Sequence, residues 1–307
     1  MLDQAVPIQI ASWTAASARR TNSVGGVSLA HSGASADDVC LGNVTAFESE
    51  PSPADIEVSV EWTASLQASA GKPQFDSGAV WTLFSKHDDD ELVFDFTSPV
   101  LGPRPYKRMY VDRSFRSARI VLSRALLKNN VHALALEYPA DELLITNYLA
   151  AGLGVEVHAC GLVDSETGGH LFLGHSGAGK STTTKLWQSL RNPKILSDDR
   201  IILRLQDGEL WMYGTPWHGE AKFAMPGKAR LNRIFILEHG DANDFAPLSR
   251  SRAVGEMFAR CFPPFHSAAA LARTVTFLDR MLDAVPCYQF QFVPNASAVA
   301  AVVGFHD

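Results

Sequence analysis

Gly168-Gly169-His170-Leu171-Phe172-Leu173-Gly174-His175-Ser176-Gly177-Ala178-Gly179-Lys180-Ser181-Thr182 is the stretch whose reading decides the fold. Residues 174–181 read G-x-x-x-x-G-K-S, the pattern of a phosphate-binding loop. The apolar run 170–173 predicts a buried strand before the loop, and residues 182–190 predict a helix after it, with Leu186, Trp187 and Leu190 on one face. Gly174, Gly177 and Gly179 allow backbone conformations closed to other residues, so that N–H groups turn inward along the loop. Those amides and the new helix N-terminus would hold phosphate oxygens. Ser176, Ala178 and Thr182 complete the cradle. Lys180 would reach the β- and γ-phosphates of a bound ATP, and the Ser181 hydroxyl would ligate Mg²⁺.

Working outward, residues 155–163 alternate (Val155, Val157, Ala159, Gly161, Val163) and predict a strand. With 164–169 as a turn and 170–173 as its partner, it forms a hairpin running into the loop. Residues 194–196 predict a short buried strand ending in Ser197-Asp198-Asp199-Arg200. Residues 201–205 and 210–213, joined by Asp207-Gly208, predict a second hairpin. Further strands are expected at 233–238 and 288–293, helices at 139–154, 252–261 and 268–284, and residues 296–301 read as Ala-rich low complexity.

Upstream, alternating or apolar runs at 56–62, 80–84, 92–96, 108–111 and 118–122 predict a mostly antiparallel β unit. Residues 8–10 read as a short strand and 32–38 as a loop. The run His87-Asp88-Asp89-Asp90-Glu91 reads as a solvated turn with the makings of a cation site. Arg104, Lys107, Arg108, Arg113, Arg116 and Arg119 make a basic stretch, read as a solvated face or a docking surface for an acidic partner. The expected class is therefore α+β, with a β-rich N-terminal unit over 1–135 and a nucleotide-binding unit with a mixed sheet over 136–307.

The 307 residues suffice for two such units, and 46% hydrophobic with 20% charged residues describes an ordinary globular chain. A net charge of −6 argues against nucleic-acid binding over a broad basic surface. The four cysteines (Cys40, Cys160, Cys261, Cys287) lie far apart, which excludes a dense disulfide framework or a standard zinc knuckle. No apolar span of membrane-crossing length and no signal-peptide pattern is present, so no membrane partner and a cytoplasmic location are expected.

Phosphoryl transfer needs a carboxylate for the metal and a group to receive the acceptor's proton. Asp198 and Asp199 close the strand after the loop's helix, so one can bind Mg²⁺ while the other acts as base. His158 sits in the strand before the loop, where it could orient an aspartate. Gly214-Thr215-Pro216-Trp217-His218-Gly219-Glu220 forces a turn: Trp217 could pack against an acceptor and Glu220 could help the metal. Lys222, Lys228, Arg230, Arg233, Arg250 and Arg252 are candidates to neutralise the transferred charge.

The runs 157–164, 174–182 and 195–200 together resemble the catalytic domain of HPr kinase/phosphorylase, where a histidine-bearing strand, a G-x-S-G-x-G-K-S loop and an L-V-A-D-D run occur in this order. The resemblance covers roughly residues 140–300. It implies the nucleotide fold shared with ATP-type phosphoenolpyruvate carboxykinases. It implies Lys180 and Ser181 at phosphate and Mg²⁺, Asp199 as catalytic base, Asp198 at the metal, and His158 supporting the base. Thr182 stands where those kinases have Glu, and residues 213–220 replace their E-I-R-G-x-G-I signature. The pattern is thus closer to the broad group of HPr-kinase-like proteins. That group implies a kinase acting on Ser or Thr of a protein or peptide, with room for a homo-oligomer. A small-molecule phosphotransferase or carboxykinase-like enzyme, and a non-catalytic ATP-binding regulator, stay open as alternatives.

Overall fold

Val24-Gly25-Gly26-Val27 makes the first tight turn among the described residues, with φ of +63° and +68° at the two glycines. Both central positions of such a hairpin turn require positive φ, which glycine supplies at little steric cost. The turn joins β1 (Ala18–Val24) to β2 (Val27–Gly33), a hairpin not among the expected elements; part of the loop expected at 32–38 is strand. The computed structural model describes residues 18–51, 53–85, 91–127 and 135–306. The strand expected at 8–10 and most of the acidic run at 87–91 lie outside them.

The first sheet continues with β3 (Ile56–Thr63), β4 (Phe75–Asp76), β5 (Trp81–Ser85), β6 (Glu91–Ser98), β7 (Gly102–Asp112) and β8 (Ser117–Ser123), in the order β1-β2-β3-β8-β7-β6-β5-β4. All five strands expected here form. The sheet is mixed, since β3 runs parallel to both β2 and β8. The basic stretch is not one solvated face. Lys107 is fully buried and ion-paired with Glu137 at 3.1 Å, Arg108 is held by Asp95, and Arg119 lies over the Tyr110 ring. Alternation along β7 sends neighbouring cations to opposite faces.

After α1 (Ala140–Leu149) come β9 (Val155–Asp164), β10 (Gly168–Leu173), α2 (Lys180–Arg191), β11 (Lys194–Ser197), β12 (Arg200–Gln206), β13 (Glu209–Gly214), β14 (Lys228–Arg230), β15 (Arg233–His239), β16 (Asp244–Pro247), α3 (Arg250–Phe258), α4 (Ala268–Met281), β17 (Cys287–Phe292) and α5 (Ala296–Val303). The second sheet is also mixed, in the order β14-β13-β12-β9-β10-β15-β17-β16, with β11 on β9. β9 and β10 form the expected antiparallel hairpin, while β10, β15 and β17 run parallel. The Ala-rich segment is helix α5, capped by the Asn295 side chain.

Strand alternation gives this sheet two apolar faces. Val155, Val157, Leu171 and Ile234 pack with Met257 of α3 and Phe277 of α4. Cys160, Leu162, Phe172 and Phe235 pack with Trp187 of α2 and Val299 of α5. On α2 the buried face is Lys180, Thr183, Thr184 and Trp187; Leu190, expected on it, is exposed. Ile202, Tyr213 and Trp217 leave the second sheet and join the core of the first, together with Leu144 and Tyr148 of α1. All four cysteines are free thiols, three of them buried. No helix among the described residues is long and apolar enough to cross a membrane.

Candidate active site

β10 ends at Leu173 and α2 begins at Lys180, so residues 174–179 form a six-residue loop between a buried strand and a helix N-terminus. Gly177 and Gly179 take φ of +82° and +101°. A Cβ on Gly179 would sit 2.4 Å from the Phe292 ring, and one on Gly174 would sit 2.5 Å from the Ala178 Cβ. Close approach and backbone conformation together demand glycine at 179. No side chain among the described residues caps α2. The loop rim at His175, Ser176 and Gly177 is exposed, as is Thr182, while Ala178 is buried beneath it and Ser181 is half-buried. Lys180 turns back into the loop, its Nζ donating to Gly174 O at 2.8 Å and His175 O at 3.3 Å. Burial lowers its pKa, opposed by the negative charge of Asp199 and assisted by the positive charge of Arg260. Both groups therefore stand within electrostatic range of the loop lysine.

The paired acids occupy a break in sheet pairing. β9 pairs with β12 over residues 155–158 and with β11 over residues 161–163, so β11 and β12 lie end to end along one edge. Ser197-Asp198-Asp199-Arg200 bridges the gap, fastened by Ala159 N–H donating to Asp199 O at 2.9 Å. The two carboxylates part there. Asp198 is 2% exposed and accepts from the backbone N–H groups of Gly219 (3.1 Å), Ala221 (2.9 Å) and Phe223 (3.1 Å). Through these bonds its oxygens organise the turn at 219–223. Asp199 lies the other way, with Oδ1 3.0 Å from His158 Nε2 and Oδ2 3.3 Å from Arg200 Nε. Both partners of the His158–Asp199 pair remain partly open. Because Val155, Val157 and Ala159 face α3 and α4, alternation turns Glu156 and His158 to the side that holds the acids.

Arg200 is the hub of what surrounds Asp199. Its guanidinium pairs with Glu142 of α1, with Glu156 Oε1 at 3.1 Å and with Asp199, and it lies 4.1 Å over the Phe262 ring. Burial pushes Glu156 well above the usual carboxylate range, helped by the charges of Asp141 and Asp199. Its Oε2 finds no hydrogen-bond partner among the described residues. Burial likewise raises Asp141 to about 6, although the Trp217 indole N–H, at 3.0 Å, favours its ionised form. Between these groups a cavity of about 270 Å³ opens beside Asp199. Its walls come from Leu41 and Val44 of the first unit, Tyr138 and Asp141 around the start of α1, and Trp217 of the turn after β13.

The remaining candidates are dispersed. Glu220 and Lys222 are exposed on the turn that Asp198 holds. Arg250 is tied to Asp279 and Asp283, Arg252 to Gln289 and Arg230 to Glu209; Lys228 lies over Trp211 and Arg233 over Phe305. A further cation, besides Lys180 and Arg200, belongs to no motif and stands outside the expected set. Arg260 follows α3; its carbonyl takes His158 N–H at 2.7 Å, its Nη1 is held by Glu256 and its buried Nε has no hydrogen-bond partner among the described residues. Glu142, Glu156, Asp141 and Tyr138 also escape sequence reasoning, because each converges on Arg200 or the cavity from a distant element.

No family model matches the chain, and no curated protein matches it. Among solved structures, the Hpr(Ser) kinase/phosphatase from Coxiella burnetii is similar over 48% of this chain and 91% of its own, at 12% identity and a TM-score of 0.27. A likeness at that score carries no argument, and function is left to the residues described above.

Proposed function

We propose that the chain transfers the γ-phosphoryl group of ATP to a hydroxyl, with Asp199 taking the acceptor's proton. The observation that carries this reading is the His158–Asp199 pair, 3.0 Å apart, partly open, and within charge range of the glycine loop's lysine. A phosphotransferase needs little covalent help from the protein; it needs a held triphosphate, neutralised charge and a base beside the acceptor. The loop supports the first: its glycine conformations, uncapped helix start and inward lysine suit phosphate oxygens. Lys180 and Arg260 would supply positive charge as it develops on the transferred group.

Ser181, at the first turn of α2, is the residue that would hold Mg²⁺. Its half-buried hydroxyl is a hard oxygen donor of the kind Mg²⁺ takes, alongside phosphate oxygens. Mg²⁺ held there would supply neutralisation of the triphosphate's charge. Asp198 acts as a positioning residue, fixing the turn at 219–223 and its own neighbour Asp199. In the transfer, the acceptor oxygen bonds to the γ-phosphorus as the bond to the bridging oxygen breaks. The electron pair leaves with ADP, and the proton passes to Asp199, whose ring partner His158 and guanidinium partner Arg200 hold it in place. The acceptor proposed is Ser or Thr of a protein or peptide, or a hydroxyl of similar chemistry.

Label transfer from Mg-ATP to a panel of hydroxyl acceptors tests this. Asp199→Asn is expected to lower turnover about 100-fold or more while nucleotide affinity holds. Lys180→Ala is expected to abolish nucleotide binding. Turnover in Asp199→Asn equal to that of the unaltered protein, or no acceptor labelled at all, would overturn the assignment.

A further inference from the structure

The cavity beside Asp199 has a size and a charge that describe its occupant. At about 270 Å³ it lies at the low end for small-molecule sites, which suits a compact group and not a folded surface. Leu41, Val44 and Trp217 give it an apolar side. Its polar side is acidic. Among the described residues three carboxyls line it, Glu137, Asp141 and Asp199, beside Arg200 and His218, and two more, Glu142 and Glu156, reach it only through Arg200. Against them stand Arg200, shared by Glu142, Glu156 and Asp199, and Lys107, whose ammonium is bonded to Glu137. Lys180 turns into the loop, its Nζ on Gly174 O and His175 O, and Arg260 is paired with Glu256, so neither is among the residues that line the cavity. Even with the buried Glu156 neutral, negative charge is in surplus around the space the acceptor would fill. Asp141 lines the cavity while buried at 4% exposure, its oxygens held by the Trp217 indole and the Glu142 amide. A charge held so rigidly at low dielectric acts strongly on whatever enters.

We infer that this cavity receives the hydroxyl acceptor and selects one that carries a positive charge: a compact amino alcohol, free or as Ser or Thr beside an ammonium group in a peptide. The selection rests on the phosphotransferase reading only for what happens to the hydroxyl; the binding preference stands on the cavity. An anionic acceptor would meet like charge, and a bulky neutral one would not fit.

A charge series on one body tests the inference: threoninamide (cationic), N-acetylthreoninamide (neutral) and N-acetylthreonine (anionic), titrated calorimetrically into the full chain. The peptides acetyl-Lys-Thr-amide and acetyl-Gln-Thr-amide form a second arm; whichever cationic probe binds more tightly names the source. The cationic member of each arm should bind about tenfold or more tighter than its neutral partner, and the anion weakest. Asp141→Asn should reduce that preference to about threefold or less. Val44→Phe, which fills the cavity from the first unit and leaves the acids untouched, should remove binding of every probe. It keeps the test decisive should the Asn variant fail to fold. Equal binding across the series, a preference unchanged in Asp141→Asn, or no binding of any cationic probe would each overturn the inference. A fluorescent ATP analogue titrated into the same proteins separates the two claims. Charge-selective binding without nucleotide binding would leave the cavity assignment standing and sink the phosphotransferase reading; nucleotide-dependent turnover on neutral acceptors would do the reverse.

Discussion

Two glycines of the loop ask for glycine for different reasons, and that difference is measurable. Gly177 takes φ of +82°, and a Cβ added there would meet nothing within 4 Å, whereas Gly179 takes +101° with the Phe292 ring 2.4 Å from where its Cβ would stand. An L side chain in the left-handed region costs about 1–2 kcal/mol. Gly177→Ala should therefore lower unfolding stability in urea by roughly that amount. Gly179→Ala should lose about 3 kcal/mol or more, since a buried ring must also move. Equal losses would show that Phe292 has no part in selecting glycine. At Asp141 the measurable quantity is a pH dependence. Burial raises its pKa to about 6, so the folded chain holds a proton that the unfolded chain releases near 4. Stability is therefore highest below the unfolded value and falls as pH rises towards 6, by about 3 kcal/mol from this group. Glu156, shifted in the same direction, adds to the fall. Asp141→Asn should remove the first contribution, so that the variant gains on the unaltered protein between pH 4 and 6.5; parallel stability curves over that range would refute the shift.

At the scale of elements, the turn at 219–223 hangs on one carboxylate. Removing it in Asp198→Ala leaves three backbone amides without their acceptor, a loss of about 2–4 kcal/mol. Hydrogen exchange at Gly219, Ala221 and Phe223 should accelerate together; protection unchanged at those amides would mean that other groups hold the turn. The elements themselves were legible where their signals are local. The β9–β10 hairpin follows from alternation and a turn, α2 from its place after the loop, and the β12–β13 hairpin from Asp207-Gly208, whose φ values of +52° and +81° fit that turn. The β1–β2 hairpin carried an equally local signal in Gly25-Gly26, masked by the polar composition around it. Helix α5 was hidden because its Ala-rich run buries only Ala298, Val299 and Val302, too few to show a stripe. In the site, Asp199, His158 and Lys180 were readable because each sits in a motif of fixed spacing. Arg260, Glu156 and Asp141 were not, since their roles come from long-range packing that no local pattern encodes.

On the scale of the whole molecule, the two sheets meet at the Gly25-Gly26 turn and in a shared core. Arg204 Nη1 of β12 donates to Gly26 O at 2.6 Å and Gly25 O at 3.2 Å, and Ile202, Tyr213 and Trp217 enter the core of the first sheet. The cavity beside Asp199 depends on this union, because Leu41 and Val44 come from one side and Asp199 from the other. Loosening the junction should therefore affect acceptor handling before it affects the nucleotide, whose loop lies wholly within the second sheet and its helices. Gly25→Ala tests the steric side: at φ of +63° its Cβ would stand 2.4 Å from Ile202 Cδ1. Arg204→Ala tests the polar side, withdrawing both hydrogen bonds while leaving the hairpin's own ladder intact. Each should lower stability by about 1–3 kcal/mol. Each should also raise hydrogen exchange along β1 and β2 and weaken binding of the cationic acceptor probes, while affinity for an ATP analogue holds. If both variants bind probes and nucleotide as the unaltered chain does, the two sheets are joined by something other than this turn, and the cavity does not need their contact to keep its shape.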